Sequence, residues 1–356
     1  MKQFSVAVIP GDGIGVEVMP EALKVLEHLA PRHEASFRFE HFEWGTSYYL
    51  ANGRMMPGGA LERLQGFDAI LLGAVGHPDV PDHTTLNGLL LPIRRGFDQY
   101  ACVRPAKLYE GVSSPLKGKP AGSIDMIVVR ENTEGEYSQV GGRLYVQTQA
   151  EVAIQTAVFT RRGVERIVRF AFELARRRNR KKRLTSITKS NAQGYSMVLW
   201  DNTFAEVARE YPDIETESLL VDAAAMNFVR RPESFDVVVA SNLFGDILSD
   251  ISAIVTGSLG LAASANLNPS REFPSMFEPV HGSAPDIAGR GIANPMAMIL
   301  TAGMMLEFLG LPQAAAAVEQ AVAAVLAEAK TLPADLGGNA GATAVGDAIV
   351  AKLSSE

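Results

Sequence analysis

Two aspartates lie four residues apart in the run NLFGDILSD, directly after the strand-like segment 237–240. If a helix begins near Gly245, Asp246 and Asp250 share one of its faces, where like charges repel each other. A divalent cation would remove this repulsion, and ligands that offer only oxygen favour Mg²⁺ or Mn²⁺. Acidic residues that offset a helix dipole are the alternative interpretation. The segment alone does not decide between them.

Three arginines could recognise a small anion that carries carboxylates. Arg130 closes the strand-like segment 126–129, and Arg104 precedes Pro105, a context that favours extended backbone. Arg94 lies in a segment that should also be ordered. The guanidinium fork suits bidentate binding of carboxylates. Three unrelated surface ion pairs are the alternative, and the spacing does not exclude them.

Two further residues could move protons. Tyr137 ends the charged run RENTEGEY, and Lys189 follows the strand-like segment 184–187. The pKa of a lysine or tyrosine in a desolvated or charged pocket can shift to suit proton transfer. Each of them alone is more often a structural hydrogen-bonding residue.

The elements that must position these side chains alternate between short apolar runs and longer amphipathic segments. This alternation predicts an α/β protein with largely parallel sheets. Strand-like runs stand at 4–9, 68–72, 125–129 and 235–240, and helical periodicity at 17–29, 162–178, 195–210 and 312–330. The loop 11–15 is placed like a dinucleotide fingerprint, but Val16 breaks the GxGxxG pattern, so a tight turn explains it at least as well.

Composition narrows the class of protein. A chain of 356 residues with 47% hydrophobic residues favours two domains, and its net charge of −7 argues against a general polyanion binder. The basic run 176–183 ends a predicted helix, so a solvated helix end is favoured over nucleic-acid binding. A single cysteine, Cys102, excludes an internal disulfide. We expect a cytoplasmic protein without a membrane segment.

Five motifs together carry a family resemblance. They are IPGDGIG at 9–15, VRENTEGEY at 129–137, TKSN at 188–191, NLFGDILSD at 242–250 and FEPVHGSAPDIAGRGIANP at 277–295. With them the chain resembles the β-decarboxylating dehydrogenases, the family of isocitrate, isopropylmalate, tartrate and D-malate dehydrogenases. The resemblance implies an α/β, isocitrate/isopropylmalate dehydrogenase-like two-domain fold, not a standard Rossmann fold. Residues 1–98 plus 252–356 would bind the cofactor, and residues 99–251 would carry the dimer interface, with the active site in the cleft between them.

The resemblance also implies roles for single residues. Substrate would contact Arg94, Arg104, Arg130 and Leu90, and Mn²⁺ or Mg²⁺ would bind Asp222, Asp246 and Asp250. Asp222 and Lys189 would come from the partner subunit of a homodimer with shared active sites. Lys189 would assist removal of the hydroxyl proton, with Asp222 as a further catalytic residue, and Tyr137 would protonate the enol carbon after carbon dioxide leaves. K⁺ would be an activator, without an assigned site.

By the same resemblance, NAD is the expected cofactor. Its contacts would be Ile14, Asn191, His281, Gly282, Ser283, Ala284, Asp286, Ile287 and Asn294. Asp286 would accept hydrogen bonds from the ribose hydroxyl and repel a 2′-phosphate, which favours NAD over NADP.

The substrate is narrowed by residues near Arg94. Gly88 and Leu90 stand where isocitrate dehydrogenases carry a serine and an asparagine for the third carboxylate, which disfavours isocitrate. The stretches 97–100 and 131–142 resemble the tartrate and D-malate enzymes. We therefore expect metal-dependent, NAD-linked oxidation of tartrate and oxidative decarboxylation of D-malate and meso-tartrate, through a 2-keto acid and a metal-stabilised enolate.

Two alternatives stay open. Leu90 and Leu91 could contact an isopropyl group, so a 3-isopropylmalate dehydrogenase is the first alternative function. Enzymes of that kind usually carry glutamate where Asn87 stands, which argues against it. The second alternative is a non-catalytic regulatory subunit, and the filled catalytic positions, such as Tyr137 and Lys189, argue against that.

Overall fold

The computed structural model describes residues 2–354, which form twelve strands and twelve α-helices. The strands are β1 (Lys2–Gly11), β2 (Ala35–His41), β3 (Ala69–Ala74), β4 (Ala101–Lys107), β5 (Asp125–Glu131), β6 (Gly135–Leu144), β7 (Val152–Val158), β8 (Arg183–Thr188), β9 (Glu215–Leu220), β10 (Val237–Ala240), β11 (Ala265–Leu267) and β12 (Ser275–Phe277). The helices are α1 (Gly15–Leu29), α2 (Thr46–Asn52), α3 (Ala60–Leu64), α4 (Asp82–Thr85), α5 (Leu91–Gly96), α6 (Arg161–Arg178), α7 (Ser196–Ala208), α8 (Val221–Arg230), α9 (Asn242–Val255), α10 (Met296–Phe308), α11 (Pro312–Glu328) and α12 (Ala342–Ser354). A π-helical turn, Leu86–Leu90, precedes α5.

The chain divides into two compact units. Unit 1 comprises Met1–Gln99, Arg104–Ile124 and Ala253–Glu356, and unit 2 comprises Tyr100–Val103 and Asp125–Ser252. The boundary drawn from the sequence differs here, because it grouped residues 104–124 with the middle of the chain. Residues of this segment contact α11 of unit 1. Lys107 forms an ion pair with Glu319 at 2.5 Å, and Tyr109 belongs to the same apolar core as α11. The functions assigned to the two domains stay predictions.

Unit 1 is built on a sheet with the strand order β2-β1-β3-β12-β11. β1 pairs in parallel with β2 and β3, β3 pairs in parallel with β12, and β11 is antiparallel to β12. Val6 and Val8 of β1 enter a core shared with α1, α10, α11 and α12, whereas Ala7 and Ile9 enter a second core with Phe42 and Trp44. Both faces of the sheet are therefore covered at β1 and β3, which explains the continuous apolar runs of these two strands at 6–9 and 69–72.

The turn between β1 and α1 lies directly against the backbone of β3. A Cβ atom at Gly11 would lie 1.9 Å from the carbonyl oxygen of Ala74, and one at Gly73 would lie 2.3 Å from that of Pro10. Gly11 also has a positive φ of 73°. The glycines are therefore required by the close approach of two backbone segments. The turn predicted for residues 11–15 is present.

Unit 2 contains a parallel sheet with the strand order β5-β10-β8-β9. Its core holds fully buried side chains of α6, α7 and α8, among them Phe172, Trp200 and Phe228. The Trp200 indole donates a hydrogen bond of 2.9 Å to Ser186 Oγ of β8. β6 and β7 form a separate antiparallel hairpin with exposed apolar side chains. The α/β class with parallel sheets, predicted from the alternation, is confirmed.

Across residues 2–354, none of the helices is both long enough and apolar enough to cross a membrane.

Candidate active site

The candidate residues of unit 2 follow the carboxyl ends of its parallel strands. Arg130 lies at the end of β5, Lys189 follows β8, Asp222 is the second residue of α8 after β9, and Asp246 lies in the first turns of α9 after β10. Parallel strands bring their carboxyl ends to one edge of a sheet, the edge at which open α/β sheets bind ligands. The topology thus collects residues that are far apart in sequence.

Arg130, Tyr137 and Asp246 are in direct contact. The Arg130 side chain, 2% exposed, pairs with the Asp246 carboxylate through Nη1, and its Nε and Nη2 donate to Asn242 Oδ1 at 3.0 and 2.7 Å. The Tyr137 hydroxyl donates to Asp246 Oδ2 at 2.7 Å, and the Arg130 guanidinium lies 5.2 Å from the centre of the Tyr137 ring. Cation, phenol and carboxylate therefore hold one another in fixed positions.

The helix that carries Asp246 begins at Asn242, three residues before the start expected from the sequence. The Glu136 carboxylate accepts hydrogen bonds from Ser241 Oγ at 2.7 Å and from the Leu243 amide at 3.1 Å. A carboxylate on β6, remote in sequence, thus caps the amino end of α9, and no local pattern predicts this contact. Gly245 is needed for the close fit, because a Cβ there would lie 2.7 Å from Cβ of Arg130.

Lys189 and Asp222 form a second pair. Lys189 Nζ donates to Asp222 Oδ1 at 2.9 Å, and this hydrogen bond lowers the pKa of the Asp222 carboxyl below its usual value. Their proximity follows from strand register, because Thr188 of β8 faces Leu220 of β9, just before the two residues. The structure brings together two residues that were both assigned to the partner subunit's share of the site, and their roles there stay predictions.

A divalent metal is the group that these carboxylates would hold. Asp246 and Asp250 are one helical turn apart on α9, and with Asp222 they offer only oxygen donors, as Mg²⁺ and Mn²⁺ prefer. Arg130 and Tyr137 already orient Asp246, as outer partners of a metal ligand do. No group of three or more His, Cys, Asp or Glu side chains within residues 2–354 of one chain could hold a metal. Asp222 does not join the other two in this chain, and its assignment to a partner subunit stays a prediction.

The other two predicted clamp arginines belong to unit 1. Arg94, on α5, is 5% exposed, and Arg104, on β4, is 7% exposed. Arg94 pairs with the buried Glu278, which also accepts a hydrogen bond from Asn266 at 2.8 Å. Leu90 ends the π-helical turn and is 8% exposed. It stands four residues before Arg94, a spacing that puts both on one helix face.

The predicted cofactor loop lies on the turn after β1. The Ile14 amide donates to the Ser283 carbonyl at 2.9 Å, and both side chains are buried. His281 Nε2 is buried without a hydrogen-bond partner among residues 2–354, and burial lowers the pKa of this histidine, so its ring is neutral at neutral pH. An unsatisfied buried nitrogen beside exposed backbone fits a site that receives a polar ligand.

The remaining cofactor candidates differ in exposure. Asn294 is buried and engaged: its Nδ2 donates to Asp335 at 3.0 Å, and its Oδ1 accepts from the Met296 amide at 3.0 Å. Gly282 and Asp286 are exposed, whereas Ala284 and Ile287 are partly buried. Asn191, in unit 2, is also exposed.

The basic run forms intramolecular ion pairs. Arg176 pairs with Asp213 at 2.5 Å, Arg178 pairs with Asp125 and Asp236, and Arg183 pairs with Glu215 at 2.7 Å. Much of the positive charge that the sequence concentrates here is therefore neutralised by acidic residues from elsewhere in unit 2.

Three acidic residues near the site were not singled out from the sequence. Glu136 caps α9, Glu278 pairs with Arg94, and Glu131 is 2% exposed beside Arg130. Burial raises the pKa of Glu131 to about 7, although it accepts hydrogen bonds from the amides of Thr133 and Glu134. All three lie inside the quoted motifs, but only Glu131 stands next to a clamp arginine in the sequence, so the contacts of the other two had no local signal.

Comparison with known proteins adds a family and relatives. The profile described as "Isocitrate/isopropylmalate dehydrogenase" matches residues 5–349. D-malate dehydrogenase [decarboxylating] of Escherichia coli (strain K12) is 54% identical over 98% of both chains. A probable tartrate dehydrogenase/decarboxylase of Agrobacterium vitis is 52% identical over 98% of this chain and 97% of its own. The crystal structure of isocitrate dehydrogenase from Methylococcus capsulatus superposes with a TM-score of 0.88, at 37% identity over 99% of both chains.

Proposed function

Because the chain belongs to the isocitrate/isopropylmalate dehydrogenase family, we propose that it oxidises tartrate and oxidatively decarboxylates D-malate in a metal-dependent, NAD-linked reaction. Enzymes of this family act on small carboxylate substrates and use NAD or NADP with a divalent metal. The observation that carries the proposal is the part-buried contact among Arg130, Tyr137 and Asp246. This contact supports a site in which Arg130 would bind an anion, Tyr137 would donate a proton and Asp246 would bind a metal.

The chemistry of these side chains suits the reaction. When bound, the metal would polarise the hydroxyl and later the keto oxygen of the substrate, and NAD would accept the hydride. Arg94, Arg104 and Arg130 are the proposed carboxylate ligands. Lys189, beside Asp222, would assist removal of the hydroxyl proton. Tyr137 would donate a proton to the carbon that loses carbon dioxide, and its hydroxyl is already oriented by Asp246.

The preference for NAD rests on Asp286 and the loop around it. The Asp286 side chain is exposed, so its charge would face the ribose of a bound cofactor and repel a 2′-phosphate. The contacts proposed for NAD remain Ile14, Asn191, His281, Gly282, Ser283, Ala284, Asp286, Ile287 and Asn294. Mn²⁺ or Mg²⁺ is the proposed metal, and K⁺ is kept as an activator without an assigned site. We expect a cytoplasmic location, because a reaction that consumes NAD needs the intracellular pool.

Exposed apolar side chains support a homodimer with shared sites. On α8, Met226 (64% exposed) and Val229 (49%) lie four and seven residues after Asp222, and so on the same helix face. On α9, Ile247 (51%) and Ile254 (47%) flank Asp250 at spacings of three and four residues. Large apolar side chains at such density are typical of an interface. A second copy of the chain that covers both faces would bring Asp222 of one chain towards Asp250 of the other.

The β6–β7 hairpin of unit 2 also exposes apolar side chains. Its exposed side chains on β6 and β7 are Val140, Leu144, Val152 and Ile154. A hairpin with exposed apolar side chains and unpaired strand edges is typically covered by another chain. The same hairpin of a second copy would bury these side chains.

The structure around Gly88 supports a small substrate over isocitrate. A Cβ at position 88 would lie 2.5 Å from Cγ and 3.0 Å from Cβ of Met55, which is 2% exposed. These atoms form the stem of the methionine and cannot move aside cheaply. A serine at this position, which isocitrate enzymes use, would therefore require repacking around Met55.

NADH formation with Mn²⁺ and K⁺, measured in parallel on D-malate, L-tartrate, 3-isopropylmalate and isocitrate, tests the proposal. We expect chelator-sensitive turnover of D-malate and L-tartrate and little turnover of the other two. Dominant turnover of 3-isopropylmalate would replace the proposed substrate. Absence of turnover on all four by a folded protein would favour the regulatory subunit.

A further inference from the structure

The carboxylate of Asp12 joins three segments of unit 1. Its Oδ1 accepts a hydrogen bond from the Thr46 amide at 2.8 Å, and its Oδ2 accepts from Thr46 Oγ1 at 2.7 Å and from the Gly76 amide at 2.9 Å. Asp12 is only 6% exposed, and it forms no ion pair with the residues that the structure describes. A buried carboxylate satisfied by three neutral donors fixes those donors firmly, because each unmade bond would leave a buried charge unsolvated.

Each of the three segments contains or follows a glycine with a positive φ, so none is rigid by itself. Asp12 stands between Gly11 and Gly13, which have positive φ angles of 73° and 54°. Thr46 follows Gly45, whose φ is 141°, and Gly76 has a φ of 137°. Glycine backbones in these conformations are intrinsically permissive, so the geometry must be imposed by contacts. The Asp12 carboxylate provides them.

The segments that Asp12 fastens meet Ser283 of the predicted cofactor loop. Ile14, two residues after Asp12, donates its amide to the Ser283 carbonyl at 2.9 Å. A Cβ at Gly13 would lie 2.1 Å from that carbonyl oxygen, and a Cβ at Gly76 would lie 3.1 Å from Ser283 Oγ. Ser283 thus packs directly against Gly13 and Gly76, and Asp12 holds the backbone of both glycines in position.

We propose that Asp12 is a positioning residue for the nicotinamide cofactor, acting through Gly76 and Ser283. It does not touch the cofactor, but it holds the surface on which residues 281–287 lie. This inference rests on the proposed function, since it takes that loop as the cofactor site. A shift of Gly76 or Gly13 would move Ser283, and with it the backbone beside His281 and Asp286.

Two substitutions probe this network with little change of volume. Asp12→Asn replaces one acceptor oxygen by an NH₂ group, which cannot accept from Thr46 or Gly76. Thr46→Val removes only the hydroxyl donor, and Thr46→Ser keeps it. We expect the dissociation constant for NADH, measured by cofactor fluorescence, to rise roughly tenfold in Asp12→Asn and several-fold in Thr46→Val, with recovery in Thr46→Ser. The KM for D-malate and kcat at saturating NAD should change less than about twofold.

A readout without cofactor separates positioning from simple loss of stability. Hydrogen exchange of the amides in residues 281–287 of the free protein should accelerate in Asp12→Asn, while exchange in unit 2 stays unchanged. Unchanged NADH binding by both variants, or a loss of kcat with an unaltered dissociation constant, would overturn the inference. If the unaltered protein itself neither binds NADH nor turns over D-malate, it is the proposed function that fails.

Discussion

Lys189 Nζ lies 2.9 Å from Asp222 Oδ1, and the two residues follow neighbouring parallel strands of the same chain. The pair is partly open to solvent, since the Asp222 side chain is 60% exposed. The hydrogen bond from the lysine lowers the pKa of the Asp222 carboxyl below its usual value. Because both residues belong to one chain and are in contact, one subunit of a dimer would contribute both of them to the same site.

In the proposed homodimer each active site combines residues of both chains. Two inactive variants should therefore restore activity to each other when they pair. Asp222→Asn and Asp246→Asn should each abolish metal-dependent turnover when made separately. A heterodimer of the two would contain one site with both aspartates intact. Co-expressed chains that pair at random should therefore recover about a quarter of the normal activity with D-malate.

The control for complementation is a mixture of the two variants after purification, before subunits can exchange. That mixture should stay inactive and gain activity as exchange proceeds. Co-expressed variants that remain as inactive as each alone, although dimeric by sedimentation, would mean that Asp222 and Asp246 do not serve one site.

Tyr137→Phe should separate decarboxylation from oxidation. The ring that lies beside Arg130 is kept, but the hydroxyl bonded to Asp246 is lost. We expect kcat for D-malate to fall by about 10²- to 10⁴-fold, as for loss of a general acid, and simple oxidation of L-tartrate to fall much less. Tyr49→Phe, in unit 1 rather than unit 2, is the matched control. Equal losses on both substrates would assign Tyr137 to binding.

Asp286→Asn should relax the choice of cofactor. The substitution removes the exposed negative charge that would repel a 2′-phosphate, without disturbing a buried contact. We expect the ratio of kcat/KM for NADP to that for NAD to rise about tenfold, which corresponds to ~1.4 kcal/mol. Glu62→Gln, another exposed carboxylate of unit 1, should leave the ratio unchanged. Equal use of NADP and NAD by the unaltered protein would contradict the assignment.

Glu131 should make stability depend on pH. Burial raises its pKa from the usual 4.5 to about 7, with Glu134 adding to the rise. Arg166 lies 3.9 Å from the same carboxyl. Between pH 4.5 and 7 the folded state keeps a proton that the unfolded state has released, so the free energy of unfolding falls as pH rises. Above pH 7 the free energy of unfolding has lost the whole contribution of this proton, on the order of 3 kcal/mol.

Glu131→Gln cannot titrate and should abolish that slope. Urea unfolding of the unaltered protein and of the variant, at intervals from pH 5 to about 8, gives the difference directly. Parallel pH profiles for the two proteins would show that Glu131 titrates normally. Glu165→Gln, at a partly exposed residue of α6, is the control.

Local patterns in the sequence were sufficient for the strands and helices that were predicted from them, and for the spacing of the two aspartates on α9. The shared helix face of Asp246 and Asp250 depends only on helical spacing, and it survives although α9 begins earlier than expected. Pairings between segments were out of reach. The contact of Lys189 with Asp222 needs the knowledge that β8 and β9 are neighbours, which no local pattern contains.

Remote acidic partners were the main features that could not be predicted. The sequence predicted that the arginines at the end of α6 are solvated. In the structure they form ion pairs with Asp125, Asp213 and Asp236, which come from three other segments. Residues 104–124 likewise joined unit 1 through contacts with α11, which lies about two hundred residues later in the chain. Such contacts depend on topology rather than on composition.

The close approach of the β1–α1 turn to β3 would mislead a genetic screen. In a saturation library selected for growth on D-malate, Gly11 and Gly73 should tolerate substitution as poorly as Tyr137, because any Cβ would collide with a carbonyl oxygen. Neither glycine has a functional group, so fitness scores alone would count them as catalytic. A parallel score for the abundance of the protein in the cell would assign them correctly, since their variants would disappear from the soluble pool while Tyr137→Phe would remain in it.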